Sequence, residues 1–171
     1  MDAAIATQTA LTAPGPAAPR LEAAGLVRRF DGRTVVDDVA LSVPAGQVTC
    51  LLGPSGCGKS TTLRIIAGVE RQDAGRVVID GALVCGDGLH VPPERRSVGL
   101  MFQDFALFPH LSVAGNIAFG LPHAMEGRAA RVDALLERVS LTGFGAKFPH
   151  ELSGGEQQRV ALARALAPRP R

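Results

Sequence analysis

Residues 53–61 read Gly-Pro-Ser-Gly-Cys-Gly-Lys-Ser-Thr, a complete loop of the form G-x-x-x-x-G-K-[ST]. An apolar, β-like run at 47–52 leads into it, and a helical pattern at 61–67 leads out. This setting constrains the chain more than any other feature, because the motif works only as a nest between a strand and a helix. From Gly53 through Pro54, Ser55, Gly56, Cys57 and Gly58 the backbone can curl so that its N–H groups converge. The helix beginning near Thr61 adds its positive dipole end, which suits the loop to a polyphosphate. In that arrangement Lys59 reaches the β- and γ-phosphates, and the Ser60 hydroxyl is a ligand for Mg²⁺.

The use of lysine sharpens this assignment. Of 18 basic residues only Lys59 and Lys147 are lysine; the others are arginine. A compact ammonium on a thin stem fits inside such a nest, whereas a planar guanidinium does not.

With 171 residues the chain is one domain, or one domain and part of another, and its 46% hydrophobic content supports a sizeable core. A net charge of +2 without runs of like charge gives no electrostatic case for nucleic acid. No stretch approaches the ~18 apolar residues of a membrane span. The segment 1–19, rich in Ala, Thr and Pro, lacks the basic and apolar regions of a signal peptide and is expected to be a mobile tail before a domain at 20–171. Cys50, Cys57 and Cys85 are odd in number and lack C-x-x-C spacing, which points to a reducing, cytosolic setting rather than disulfides or zinc. Cys57, beside a helix start and Lys59, is expected to be the reactive thiol, with Cys50 buried in its strand.

The pattern before the loop predicts a hairpin, Leu21–Phe30 and Thr34–Val43, turning at Asp31-Gly32-Arg33. A second hairpin is expected around Asp80-Gly81, then a loop containing Pro92-Pro93, then a buried strand over Ser97–Phe102. Helices follow. Ser112 is placed to cap Val113–Gly120, and Val132, Leu135, Leu136 and Val139 mark an amphipathic helix over Arg128–Ser140. Ser153 stands at the N-cap of Gly154–Ala167, which Pro168 ends.

The start of that last helix is a second motif, Leu152-Ser153-Gly154-Gly155-Glu156. A hydroxyl and the bare N–H groups of two glycines at a helix start form a second anion site. Two phosphate sites in one chain make sense when the second closes over a nucleotide held by another copy.

In this order the two motifs resemble those of ATP-binding subunits of ABC transporters, and the resemblance runs from Leu21 to Pro170. Residues 53–61 look like that family's Walker A loop. Residues 152–156 look like its signature, with Glu156 where glutamine is more usual. The resemblance implies an α/β fold: a P-loop NTPase core, an antiparallel β subdomain and a helical subdomain. It implies ATP and Mg²⁺ as ligands, with Phe30 stacking on adenine and Gln103 reaching Mg²⁺ or the attacking water. It places Ser153, Gly154, Gly155 and Glu156 against the ATP of a second subunit in a head-to-tail dimer. Four phenylalanines, Phe102, Phe105, Phe108 and Phe119, fall where the family grips its membrane permease; they can equally pack the helical subdomain. The family works at the cytoplasmic face of the inner membrane, with permease subunits and a solute-binding protein.

The chain ends where the family approaches Walker B, so the resemblance implies an incomplete fold without the aspartate, glutamate and switch histidine of hydrolysis. His90, His110, His123 and His150 lie at the wrong places to replace that histidine. Ferric iron import is the solute reading closest in sequence, with polyamine or sulfate import behind it. The alternatives are a soluble ABC ATPase of repair or translation, disfavoured by the lack of sustained heptads between the motifs, and a non-hydrolysing nucleotide-binding remnant.

Overall fold

The computed structural model describes residues 6–9 and 19–170. The chain divides into two compact units, Met1–Arg96 and Ser97–Arg171.

In the first unit both expected hairpins form. Strands β2 (Pro19–Phe30) and β3 (Arg33–Pro44) pair antiparallel, with Phe30 opposite Arg33 at the tip. Asp31 and Asp80 adopt positive φ before Gly32 and Gly81, the backbone that suits the right-handed twist of a tight hairpin. Strands β5 (Ala74–Ile79), β6 (Ala82–Gly86) and β7 (Leu89–His90) complete a five-stranded antiparallel sheet of order β3-β2-β5-β6-β7. Its core holds Leu26, Val36, Val77 and Cys85, with Ile65 from helix α1 (Lys59–Ala67) packed into it. At ~25 cal/mol per Å² of apolar surface removed from water, this burial is what fixes α1 against the sheet.

The strand that feeds the phosphate loop, β4 (Thr49–Leu52), pairs with β1 (Ala6–Thr9), Ala6 opposite Leu52. Residues 6–9 are thus a strand, where a mobile tail is expected; an unpaired edge offers a row of N–H and C=O groups to any extended neighbour. Pro19 opens β2, and the rest of that segment lies outside the described residues. Because β1 is its one ladder partner among the described residues, β4 is covered on few sides. Cys50 is exposed rather than buried as expected; Cys57 is half-buried and Cys85 buried.

The second unit differs from expectation at its start. Residues 97–102 form no strand, and all are at least partly exposed. An apolar run becomes a strand only with a ladder neighbour, and none pairs with it among the described residues. The helices follow the sequence pattern: α2 (Val113–Ala118), α3 (Arg128–Arg138) and α4 (Gly154–Leu166). Ser112 caps α2 by accepting from the Gly115 N–H at 3.1 Å. The apolar face of α3 meets α2 and α4 in a core of Val113, Ile117, Leu135, Leu141 and Val160. Asn116, in α2, is fully buried, and its side chain fills the loop that precedes the helix. Its Oδ1 accepts from the Phe108 N–H at 2.8 Å, and its Nδ2 donates to the carbonyls of Phe108, Leu111 and Ser112 at 3.1 Å.

Candidate functional site

The phosphate loop lies between β4 and α1 with residues 52–56 exposed. α1 starts without a side-chain cap: its N-cap is Gly58, at φ 94°. The first N–H groups of the helix are therefore not taken by a side-chain cap and face the loop. Gly58 is required twice over. Its backbone is left-handed, and a Cβ there would collide with the Val35 carbonyl oxygen on β3. A concave site of about 140 Å³ results, lined by Val35, Gly56, Gly58, Lys59, Ser60 and Thr61.

Lys59 turns back over the loop. Its Nζ donates to the carbonyls of Gly53 and Pro54 at 2.8 Å each and lies 3.5 Å from the Cys57 Sγ. The ammonium thus sits on the Gly53, Pro54 and Cys57 side of the loop. Ser60, in the first turn of α1, lines the same concavity and is exposed, so its hydroxyl fits as one oxygen ligand of a phosphate-bound Mg²⁺. Phe30, at the tip of the hairpin whose β3 strand touches the loop, is 38% exposed, and the Arg28 guanidinium lies 4.5 Å over its ring. The guanidinium takes one face of the ring, so a base would stack on the other face or displace it.

Arg96 is a residue that sequence reasoning missed. It is 3% exposed, and its guanidinium donates to the carbonyls of Ile65 and Ile66 at 2.7 and 2.9 Å and to that of Val91 at 2.7 Å. It thereby caps the C-terminal end of the helix whose other end carries the candidate phosphate site. Burial pulls its pKa down from the usual arginine value, with the Cys85 thiol opposing. Burial also raises the Cys85 pKa, and burial followed by Arg96 and Arg71 lowers that of His90, whose Nδ1 is 3.4 Å from the guanidinium. The second of two adjacent arginines after a Pro-Pro turn carries no sequence signal for this role; only the fold brings it to the helix end.

In the second unit the signature residues sit at the start of α4, as their sequence implies. Ser153 is the N-cap and Glu156 the third helical residue. The Glu156 Oε2 accepts from the Ser153 backbone N–H at 2.7 Å and from its hydroxyl at 2.8 Å. Of the groups read from sequence as an anion site, the Ser153 hydroxyl is thus already engaged by a carboxylate. Those hydrogen bonds, the backbone one foremost, hold the Glu156 pKa below its usual value. The pattern Ser-x-x-Glu at a helix start was the available signal, since it is the capping box. Gly154 and Gly155 remain exposed, with nothing within 4 Å of where a Cβ on Gly154 would lie. Gln103 is exposed in a turn, and Phe119 is 61% exposed with its ring 4.2 Å from that of Phe108. Among the described residues no three potential metal ligands cluster, and no helix is long and apolar enough to cross a membrane.

Comparison with known proteins agrees with this geometry. The family model described as ABC transporter matches residues 36–171. The chain is 53% identical over 156 residues to a spermidine/putrescine import ATP-binding protein, PotA, of Nitrosospira multiformis, covering 88% of this chain and 41% of that protein. It is 57% identical over 150 residues to an Fe(3+) ions import ATP-binding protein, FbpC, of Streptomyces coelicolor, covering 86% and 42%. The chain thus spans well under half the length of these relatives. A solved dimeric ATP-binding cassette, in a post-hydrolysis state bound to ADP and Pi, superimposes with a TM-score of 0.72 at 30% identity over 88% of this chain and 70% of that one.

Proposed function

The chain belongs to the ABC transporter family, and on that premise we propose that it is the ATP-binding part of an importer, binding Mg·ATP at residues 53–61 and driving solute uptake through a membrane permease. The observation that carries this reading is the Lys59 ammonium, centred on the loop carbonyls above the uncapped start of α1. Polyphosphate takes the converging N–H groups, Lys59 adds charge at the β/γ oxygens, and Ser60 supplies one ligand to the metal. Bound Mg²⁺ would neutralise charge that builds on the transferred phosphoryl group. Phe30 would stack on the base, and Gln103 would orient the water or the metal.

The remaining parts of the proposal follow from the signature. Ser153, Gly154, Gly155 and Glu156 would close over the ATP of a second subunit in a head-to-tail dimer. Phe108 and Phe119 would meet the permease at the cytoplasmic face of the inner membrane, and a solute-binding protein would deliver the solute from the other side. Support for the dimer is the likeness to a dimeric cassette bound to ADP and Pi.

Ferric iron is the proposed solute, supported by the 57% identity to an Fe(3+) import protein. Polyamine uptake is the second reading, favoured by the 53% identity to a spermidine/putrescine import protein. Deleting the gene and measuring uptake of radiolabelled ferric iron and spermidine decides between them. Loss of iron uptake alone supports the first reading; loss of spermidine uptake alone replaces it with the second; loss of neither removes both.

A further inference from the structure

Phe105 and Ala106 are consecutive non-glycine residues with positive φ, 58° and 46°. The left-handed region is unfavourable for any residue with a Cβ, and most of all for two in a row. Such a turn persists only where its surroundings hold it. Here one side chain does so. Arg164, in the last turns of α4, donates from Nη1 to the Ala106 carbonyl at 2.6 Å and from Nη2 to the Phe105 carbonyl at 2.8 Å. The same guanidinium lies 5.4 Å over the Phe108 ring. Among the described residues no carboxylate pairs with Arg164, and burial lowers its pKa from the usual value. A half-buried cation without a counter-ion is costly unless its donors find acceptors, and the two strained carbonyls take two of its five.

The position of this clamp gives it a consequence. The turn lies directly between Gln103 and Phe108. Arg164 is on the helix that begins at Ser153, 11 residues away (164 minus 153), or about 16 Å along a rigid axis. Beyond the turn, Asn116 grips the Phe108 backbone from both its N–H and its C=O. Phe105–Phe108 is therefore fastened at both ends, to α4 by Arg164 and to α2 by Asn116.

We propose that Arg164 is a positioning residue that holds the strained Phe105–Ala106 turn, and with it Gln103 and Phe108, in fixed register with the signature helix. Any shift of that helix at Ser153 is passed to the turn through two hydrogen bonds rather than through a flexible loop. The functional part of this inference rests on the ATP-driven import proposed above; the clamp itself does not.

Amide hydrogen exchange on the full chain tests the clamp. In Arg164→Met, the Leu107 and Phe108 amides exchange at least tenfold faster than in wild type, while α1 and the β2–β3 hairpin are unchanged. Arg164→Lys, which keeps charge and stem but lacks the fork, falls between them and serves if the Met variant does not fold. Adding Ala106→Gly to Arg164→Met brings the rates back to within about threefold of wild type, because glycine takes the left-handed turn without help. Equal exchange in wild type and Arg164→Met, or no rescue by glycine, overturns the clamp. ATP turnover of the same variants, measured in a subunit that carries the Walker B acids and is assembled with its membrane subunits, tests the positioning. The kcat falls at least tenfold with KM for ATP within threefold, and Ala106→Gly restores it. An unchanged kcat overturns the positioning role. Absence of turnover in wild type overturns the import reading instead and leaves the exchange result to decide the clamp.

Discussion

The carboxylate of Glu156 accepts both the backbone N–H and the hydroxyl of Ser153, through one oxygen, at 2.7 and 2.8 Å. The pair gives the start of α4 an anion of its own. The hydrogen bonds favour the ionised form, so the Glu156 pKa is depressed on folding. A depressed acid contributes stability above its unfolded pKa and loses it as pH falls through the folded one. Wild type should therefore exceed Glu156→Gln in urea midpoint at pH 7, and that lead should shrink as pH is taken from 7 to well below the usual glutamate range, through the depressed folded pKa. A difference that stays constant between these pH values would show that the carboxylate charge is irrelevant to the cap.

Lys59→Ala should weaken ATP binding at least tenfold, ~1.4 kcal/mol or more, because it removes the one ammonium aimed at the loop. Fluorescence titration with a ribose-labelled ATP measures it. Equal affinity in wild type and variant would place the nucleotide elsewhere.

The three thiols should separate by exposure and by ligand. Cys50 is exposed and Cys85 buried, so Cys50 should alkylate readily and Cys85 last. Cys57, 3.5 Å from the Lys59 ammonium, should be protected by ATP at least fivefold, with Cys50 unaffected. Mass spectrometry of iodoacetamide-treated protein reads all three. Protection of Cys50 instead of Cys57 would contradict a nucleotide seated in the loop.

Gly68, the C-cap of α1, has φ 84°, and a Cβ there would lie 2.5 Å from the Arg96 Nε. Gly68→Ala combines left-handed strain with displacement of that guanidinium and should cost ~2 kcal/mol, roughly 4–8 °C in Tm. The cost should shrink in an Arg96→Met background, since the collision is gone and only the strain remains. Calorimetry of the four proteins tests this; simple additivity would show that the two residues do not interact.

What was legible in the sequence was local. The phosphate loop, the Ser112 and Ser153 caps, both Asp-Gly turns and the α3 stripe depend on neighbours within a few residues, and each stands where the pattern puts it. What failed depended on distant partners. Residues 97–102 have strand composition but no ladder, and Cys50 sits in a strand that β1 covers on one edge. Arg96 and Arg164 gain their roles from carbonyls 30 and 58 residues away, and nothing local distinguishes them from the other arginines. Glu156 is the exception. Its capping pattern is local and readable, but the glycines beside it draw attention to phosphate first.

Because Lys59 already donates to Gly53 and Pro54, a polyphosphate bound as proposed would take over hydrogen bonds and would not create them anew. Heat released at this residue measures a difference between two acceptors, so calorimetric enthalpy will understate the charge contact. The curl of the loop is meanwhile braced by its own side chain, so most of its ordering is completed when the chain folds. The lysine is thus a scaffold strut of the loop, and on the proposed ATP reading it would exchange carbonyl acceptors for phosphate ones.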